Sequence, residues 1–483
     1  MLVLRPYQET AINQIIAAIK KGYKKIIVRA PTGAGKTIIA SRIINGAIAK
    51  GNRLLFMAHR SELIYQCSEK LDWLNVFHGI IMGKNNPQSS ARCHVASVQT
   101  LVNRNLPEPQ IIIIDECHHA RAATYEKIIV RYPNAIVIGL TATPARTDGK
   151  GLGHIFETII DVISYNQLIE QNFLVPFKIF EPTEIDFTGV RTVGGDFNKK
   201  QAHEKMKQST VYGDVLDHWK RLASDRSTLL FAANVQDSIN FRDAFLSLGV
   251  VAAHVDGKTK TEERKKIFNG FRKGKIQVLT NVGVATEGTD LPCASCISLA
   301  APTKSLVLHH QMVGRGLRIH PESGKQDCLI LDHVGNHKRL GWIDDDIEWT
   351  LSDSKRAINK TTSGPTAPSI RLCPECYLSM RGGSNKCERC GYNFPVKKRE
   401  LKTVDAQLKE ATRTGKRVYR VRDDELTYYA KMVMKGVDNG YKPGYANGRF
   451  RAVFGYWPQG RIKMEDVDIR ILELKLEKEW KVA

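Results

Sequence analysis

The chain has 483 residues, 42% of them hydrophobic and 25% charged, which suits about three globular domains and excludes a disordered or fibrous chain. No apolar run approaches the roughly 20 residues of a membrane span, and Leu2 to Pro6 lead into a helical pattern, with no charged-then-apolar leader. Cytoplasmic residence is the expectation, and the net charge of +22 points to a polyanionic partner.

In chain order, helical spacing covers Tyr7–Lys21, Thr37–Lys50, Glu62–Trp73 and Thr124–Arg131. Strand patterns fall between them at Lys25–Arg29, Arg53–Ala58, His94–Val98, Gln110–Asp115 and Ala135–Leu140. These strands are rich in Ile, Val and Leu with little alternation, as parallel strands covered on both faces require. The expectation is a doubly wound α/β domain over residues 1–165.

Between the first strand and the next helix stands Ala30-Pro31-Thr32-Gly33-Ala34-Gly35-Lys36-Thr37. Such a turn aims the backbone N–H groups of Thr32, Gly33, Ala34 and Gly35 at a phosphate, beside the positive end of a helix dipole. Lys36 would reach the β/γ-phosphates and Thr37 would hold Mg²⁺. Ala30 departs from the generic pattern, which has glycine there.

The run Ile111–Ile114 ends in Asp115 and Glu116, at the strand edge where α/β sheets bind ligands. Asp115 would hold Mg²⁺ and Glu116 would orient and deprotonate a water. After the next strand, the Thr141 and Thr143 hydroxyls could bond those carboxylates.

Residues 166–204, with Pro176, Pro182 and the Gly-rich Gly189–Gly195, read as a connector without chemistry. A second α/β pattern covers 205–350, with strands at Ser227–Ala232, Val250–Val255, Gln277–Thr280, Cys296–Ala300 and Cys328–Leu331. Its helices are Val235–Leu248, Glu262–Arg272 and Ser305–Leu317. At its end, Arg315 and Arg318 stand three apart and on a helix would share a face. Facing a nucleotide held by the first domain, they could act as arginine fingers.

A flexible linker is expected at 351–369. Then Cys373-x2-Cys376-x10-Cys387-x2-Cys390 has the spacing of a four-thiolate Zn²⁺ site over 370–396; rubredoxin-type iron or disulfides are the alternatives. The other six cysteines read as reduced thiols. Residues 397–483 form a basic tail ending in a helix near Val467–Val482. In Gly440–Pro458 aromatic and basic residues alternate, which suits either base stacking or, the preferred reading, a small core.

Seven blocks in order resemble the superfamily 2 helicases of DEAD/DEAH type: Arg5-Pro-Tyr-Gln8, the phosphate loop, Ala58-His-Arg60-Ser-Glu-Leu63, Asp115-Glu-Cys-His118, Thr141-Ala-Thr143, Thr280–Asp290 and Gln311-x-x-Gly-Arg-x-x-Arg318. Ala30 is ordinary in that superfamily. The resemblance implies two tandem RecA-like domains hydrolysing ATP with Mg²⁺. It implies that Gln8 reads adenine with Arg5 in support, and that Gln311 works beside Arg315 and Arg318. Gly288 and Asp290 would lie near the ribose and the interdomain coupling. Arg60, Ser97, Gln99, Thr100, Thr280 and Asn281 would lie along a nucleic-acid track. A helicase core, zinc ribbon and basic α-rich tail together resemble the RadD-like DNA-repair ATPases. That implies single-stranded, forked or branched DNA as partner, with a single-strand-binding protein or other repair factor, and no membrane. The alternatives are an RNA helicase, a restriction motor, or an ATP-switched accessory factor.

Overall fold

The structure, a computed structural model, describes residues 4–85, 90–104, 108–119, 123–145, 151–181, 187–208, 211–286, 288–352, 358–360, 370–382, 384–395, 423–442, 444–458 and 462–480. The chain divides into two compact units, Met1–Val396 and Lys397–Ala483.

The first sheet comprises β1 (Lys25–Arg29), β2 (Leu54–Ala58), β3 (His78–Ile81), β4 (Cys93–Ser97), β5 (Ile111–Asp115), β6 (Ile136–Thr141) and β7 (Thr158–Asp161). All neighbours are parallel in the order β3-β4-β2-β5-β6-β1-β7. Helices α1 (Pro6–Lys20), α2 (Lys36–Ala49), α3 (Ser61–Trp73), α4 (Val98–Leu101) and α5 (Ala123–Arg131) connect or flank these strands. Alternate strand residues serve two cores. Ile26, Val28, Phe56 and Ile113 pack with Ile39, Ile44 and Ile64 of α2 and α3, while Ile27, Leu55, Ile112 and Ile114 pack with Tyr125 and Ile128 of α5. The edge strands β3 and β7 carry no clear sequence pattern: each has four residues and neither is buried throughout.

The second sheet changes the expected connector. Across 166–204 run most of α6 (Tyr165–Glu170), β8 (Phe177–Phe180), the hairpin β9 (Thr192–Val193) and β10 (Asp196–Phe197), and the start of α7 (Lys199–Gln208). Strand β8 is a full member of the second sheet. The rest are α8 (Val211–Ala223), β11 (Thr228–Ala232), α9 (Val235–Ser247), β12 (Ala252–Val255), α10 (Thr261–Arg272), β13 (Val278–Asn281), β14 (Cys296–Ala300), α11 (Leu306–Gly314), β15 (Cys328–Asp332) and α12 (Asn336–Leu340). Part of the expected linker is also ordered: β16 (Ile347–Trp349) pairs with β17 (Ile358–Lys360). Its remainder, 361–369, lies outside the described residues.

The cysteine module is not a separate bead. Its hairpin, β18 (Ile370–Leu372) and β19 (Leu378–Arg381), completes the second sheet in the order β12-β13-β11-β14-β15-β8-β19-β18. Strands β12 to β8 run parallel, and β19 joins β8 antiparallel.

The second unit holds α13 (Asp423–Asp438), α14 (Tyr445–Phe454) and α15 (Met464–Trp480). Tyr429, Phe450 and Val467 form its core, with Phe450 edge-on to Tyr429 and Tyr456. Most of the aromatic alternation is therefore packing. Tyr441 and Trp457 stay exposed, Trp457 beneath the Arg451 guanidinium. The basic surplus lies elsewhere. Residues 423–480 hold ten Lys/Arg and ten Asp/Glu, whereas 397–422, outside the described residues, hold ten Lys/Arg and three Asp/Glu.

In β6, a Cβ on Gly139 would lie 2.7 Å from both Cys117 Sγ and the Phe156 ring. Both are core groups with nowhere to move, so Gly139→Ala should cost about 1–3 kcal/mol by overpacking. Urea unfolding checks this; an unchanged midpoint would mean that the β6 backbone yields.

Candidate functional site

The phosphate loop is held from both sides. Ala30 N–H bonds Thr141 O at the end of β6, and Thr32 N–H donates to the Tyr165 hydroxyl at 3.3 Å. Gly33 (φ 91°) and Gly35 (φ 80°) adopt left-handed conformations that favour glycine, and Gly35 caps α2. Lys36 Nζ donates to Ala30 O at 3.4 Å. Burial holds the Lys36 ammonium below its ordinary pKa, against the opposing pull of Glu116 and Asp115.

Strand β5 delivers the two carboxylates. Glu116 takes φ 49°, an uncommon conformation for a side chain of this kind, and its N–H donates to Asp115 Oδ1 at 3.1 Å. Glu116 Oε2 lies 3.4 Å from His118 Nδ1, which is 3.1 Å from Thr141 Oγ1. His118 Nε2 meets Gln311 Nε2 at 3.4 Å. With the Gln311 amide nitrogen as donor, His118 Nε2 would accept and leave its proton on Nδ1, toward Glu116 and Thr141. Sequence reading placed Glu116 and Gln311 in one site but gave His118 no part in linking them.

A cavity of about 650 Å³ brings these groups together. Arg5, Thr32, Gly33, Gly35, Lys36, Thr37, Asp115 and Glu116 line it from one domain, and Gly288, Asp290, Gln311, Arg315 and Arg318 from the other. Ala34 lies behind the wall, its carbonyl accepting from the Tyr7 hydroxyl and Gln8 Nε2. The arrangement presents hard oxygen donors (Thr37, Asp115), cations and a positioned carboxylate around one volume. That set fits a Mg²⁺-bound polyphosphate.

Three placements differ from those expected. Arg315 and Arg318 share no helix, because α11 ends at Gly314. Arg315 caps it, while Arg318 bridges to Leu174 and pairs with Asp290. The Arg315 guanidinium is bound to backbone, with Nε 3.0 Å and Nη2 2.6 Å from Thr286 O and Nη1 2.5 Å from Thr289 O. Gln8 does not line the cavity. It is 3% exposed, and its amide bonds Arg5 N–H and Ala34 O. Thr280 and Asn281 are fully buried. Thr280 Oγ1 donates to Ser238 O at 2.8 Å, and the Asn281 amide spans Leu230 O and Ala285 N–H. Asn281 thus holds the 282–286 loop through Ala285 N–H, and Thr280 ties β13 to α9.

The remaining track residues lie at the carboxyl edge of the first sheet. Arg60 donates to Gly283 O and Val284 O across the domain boundary. Ser97 Oγ bonds Gln99 Oε1, Gln99 Nε2 bonds His59 O, and Thr100 Oγ1 accepts from Gly83 N–H. Phe173 also lines the cavity, beneath the Arg5 guanidinium at 4.1 Å. It stands outside every recognised motif, so no sequence signal marked it.

The four cysteine sulfurs lie within 4.8 Å of one another, with Cys373–Cys390 at 3.5 Å and Cys376–Cys387 at 3.6 Å. A tetrahedral ion with Zn–S bonds of about 2.3 Å needs sulfurs about 3.8 Å apart, whereas a disulfide needs about 2.05 Å. The two knuckles match: Tyr377 N–H bonds Cys373 O, Gly391 N–H bonds Cys387 O, and Tyr377 and Gly391 both take positive φ. Burial pushes the Cys387 thiol up, but the N–H groups of Cys390 and Arg389 outweigh it and bring it to about 7. Thiolate sulfur suits zinc and iron alike.

Residues 1–146 match the family model described as type III restriction enzyme, res subunit, and residues 212–320 match the helicase conserved C-terminal domain. The chain belongs to the superfamily 2 helicases. A "51.5 kDa protein" of a Lactococcus phage (isolate 7-9) is 31% identical over 385 residues, 79% of this chain and 81% of its own. A Schizosaccharomyces pombe protein, named as a candidate mitochondrial ATP-dependent helicase irc3, is 34% identical over 74% of this helicase. The chain spans only 63% of that relative. The fold is also that of a fragment of a candidate HsdR subunit of a type I restriction enzyme from Vibrio vulnificus YJ016, with TM-score 0.58 and 23% identity over 71% of this chain and 67% of that one. The family's activity is nucleic-acid-dependent ATP hydrolysis. The cysteine site and the helical unit lie beyond both matched models. Among the described residues no helix is long and apolar enough to cross a membrane.

Elemental analysis of this helicase should give about one zinc per chain. Iron, or no metal in a folded protein, would overturn that assignment. Because β19 pairs with β8, Cys376→Ser should lose the metal and also lower the unfolding temperature of the first unit.

Proposed function

We propose that this helicase is an ATP-driven DNA helicase or translocase of the RadD-like kind, acting in repair or recombination. The observation that carries the reading is the shared cavity, in which phosphate-directed residues of both domains face one volume. Lys36 and the loop N–H groups bind the phosphates. Thr37 and Asp115 would hold Mg²⁺, which neutralises phosphate charge. Glu116 takes the proton of the attacking water, and His118 reports its state to Gln311.

Arg315 supplies the coupling. Among its partners are the carbonyls of Thr286 and Thr289, which flank Gly288, whose O accepts from Gln66 Nε2 at 2.6 Å. Drawing Arg315 toward the γ-phosphate loosens that loop, and loss of the phosphate restores it. Since Arg60 holds the neighbouring Gly283 and Val284 carbonyls, the cycle is felt at the strand track.

DNA as substrate is supported by the restriction-enzyme model over residues 1–146 and by the basic surplus at 397–422. A single-strand-binding protein or another repair factor fits as partner. The buried, unpaired scattered cysteines fit a reducing compartment such as the cytoplasm. Domain bounds near 1–165, 205–350, 370–396 and 397–483 remain the working division, with β8 added to the second domain.

The deciding experiment is steady-state ATPase with single-stranded, forked and duplex DNA and with RNA at fixed salt. Stimulation by DNA over RNA is expected; RNA alone would make the chain an RNA helicase, and no response would favour an accessory switch. Lys36→Ala should weaken nucleotide use, and Glu116→Gln should bind ATP while hydrolysing it about 100-fold more slowly. Normal turnover in Glu116→Gln would remove its role as base. Truncation after Val396, which spares the second sheet, should keep basal hydrolysis, weaken DNA binding and flatten its salt dependence. An unchanged salt slope would show that the tail is not the grip.

A further inference from the structure

The helical unit sorts its aromatic residues into two sets. Tyr429 and Phe450 form the core with Val467, and Tyr428, Phe454 and Tyr456 pack around them. Tyr441 and Trp457 stay out of that core, each 47% exposed. A lone apolar side chain on a surface needs no explanation, but these two rings are each braced by a neighbour. Tyr441 lies against Tyr445, with ring centroids 4.6 Å apart and a tilt of 46°. The Arg451 guanidinium lies 4.6 Å over the Trp457 ring.

Helix α14 sets the spacing of the two braced rings. Ala446, Phe450 and Phe454 mark its core side. At about 100° per residue, Tyr445, Gly448 and Ala452 fall on the opposite side, with Arg451 at the margin. Tyr441 precedes the helix and Trp457 follows it, and the ten residues between make a helix about 15 Å long. Gly448 and Ala452 are exposed, and a Cβ on Gly448 would meet nothing within 4 Å. This outward face is therefore low, with a flat group toward each end.

Charge in the unit balances in total but not in place. From Tyr429 to Lys463 the sequence holds seven Lys/Arg and one acidic residue, Asp438. Lys442, Arg449 and Arg451 are exposed among the rings. Three of the acids open α13, where Asp423 joins Glu473 in holding Arg470. A cationic surface set with flat rings matches an unpaired strand, whose phosphates take the charge while its bases stack. A duplex keeps its base faces stacked on one another and gains nothing from the rings.

We infer that the helical unit carries a nucleic-acid site of its own, in which unpaired bases stack on Tyr441 and Trp457 and Lys442 and Arg449 face the phosphates. This rests on the proposed reading of DNA as the substrate. The site lies outside both matched helicase models, and it prefers unpaired strand to duplex without reading base sequence.

The test is equilibrium binding of the full chain, at fixed salt, to three DNA probes of about 20 nucleotides: oligothymidylate, an abasic strand of the same length, and a duplex. Trp457→Ala and Tyr441→Ala should each weaken oligothymidylate binding about fivefold or more, and change abasic and duplex binding less than about twofold. Trp457→Phe should recover most of the loss. Gly448→Glu places a carboxylate in open space on the same face. It should weaken oligothymidylate binding without lowering the unfolding temperature, since glycine is a poor helix former, so it decides the matter if an aromatic variant loses helicity. Equal losses on the thymidylate and abasic strands would overturn the inference. Unchanged binding in all three variants would also overturn it and leave the rings to a protein partner. If the ATPase answers to RNA alone, the DNA reading fails, and the same comparison with oligouridylate and an abasic RNA strand still upholds or sinks this site.

Discussion

The two domains meet through backbone at glycines, and the site depends on that close approach. A Cβ on Gly314 would lie 2.8 Å from Thr32 Cβ, one on Gly33 would lie 2.7 Å from Leu174, and one on Gly288 would lie 3.2 Å from Glu62. Side chains at these points would wedge the cleft open and separate Lys36 from Gln311. Polar contacts join the domains around the glycines, among them Gln66 to Gly288 O, Arg60 to Gly283 O, and Arg264 to Glu62 at 3.0 Å, while Tyr7, Ala30 and Ala34 pack into the second domain's core. This approach brings the phosphate-directed groups together, and a ligand that binds the closed cleft better than the open one would favour closure.

Motif order in the sequence located the parts of this site but not their hydrogen bonds. Buried parallel strands announce themselves by composition, and the loop, Asp115, Glu116 and Gln311 sit at their carboxyl ends because the fold puts every such end on one edge. Side-chain direction is a different kind of fact. Thr280 and Asn281 look like contact residues because they follow a strand, yet Thr280 turns down to Ser238 O and Asn281 to Leu230 O. Arg318 looks like a helical neighbour of Arg315 until the helix ends before either. Gln8 differs again: its motif is plain, but the phosphate loop pressed against it decides what its amide can reach. Phe173 and β8 were invisible for an opposite reason, lying in a stretch whose prolines and glycines read as connector.

The cysteine module shows how a local pattern can be right while its context is hidden. Spacing alone predicted four converging sulfurs, and they converge. Nothing in the spacing says that β19 would pair with β8 and cover its edge. That pairing makes the four-cysteine cluster part of the second sheet's edge. Tyr377 then links the two: its N–H closes the first knuckle, its carbonyl accepts from Glu181 N–H, and its ring meets His218 and the Arg221 guanidinium.

Charge and packing divide the C-terminal quarter between them. In the helical unit most of the aromatics pack on one another, and its charges balance. The surplus cations crowd into residues 397–422, where few carboxylates dilute them. On the proposed reading, affinity for a polyanion then arises mainly from counterion release along that stretch, which is indifferent to base sequence. Sensitivity to the nucleotide state would have to come from the motor, where Arg60 and the 282–286 loop change their grip as the cleft opens and closes. A sequence-blind grip combined with a state-sensitive track would suit a translocating enzyme, since a reader of bases would stall at its preferred site.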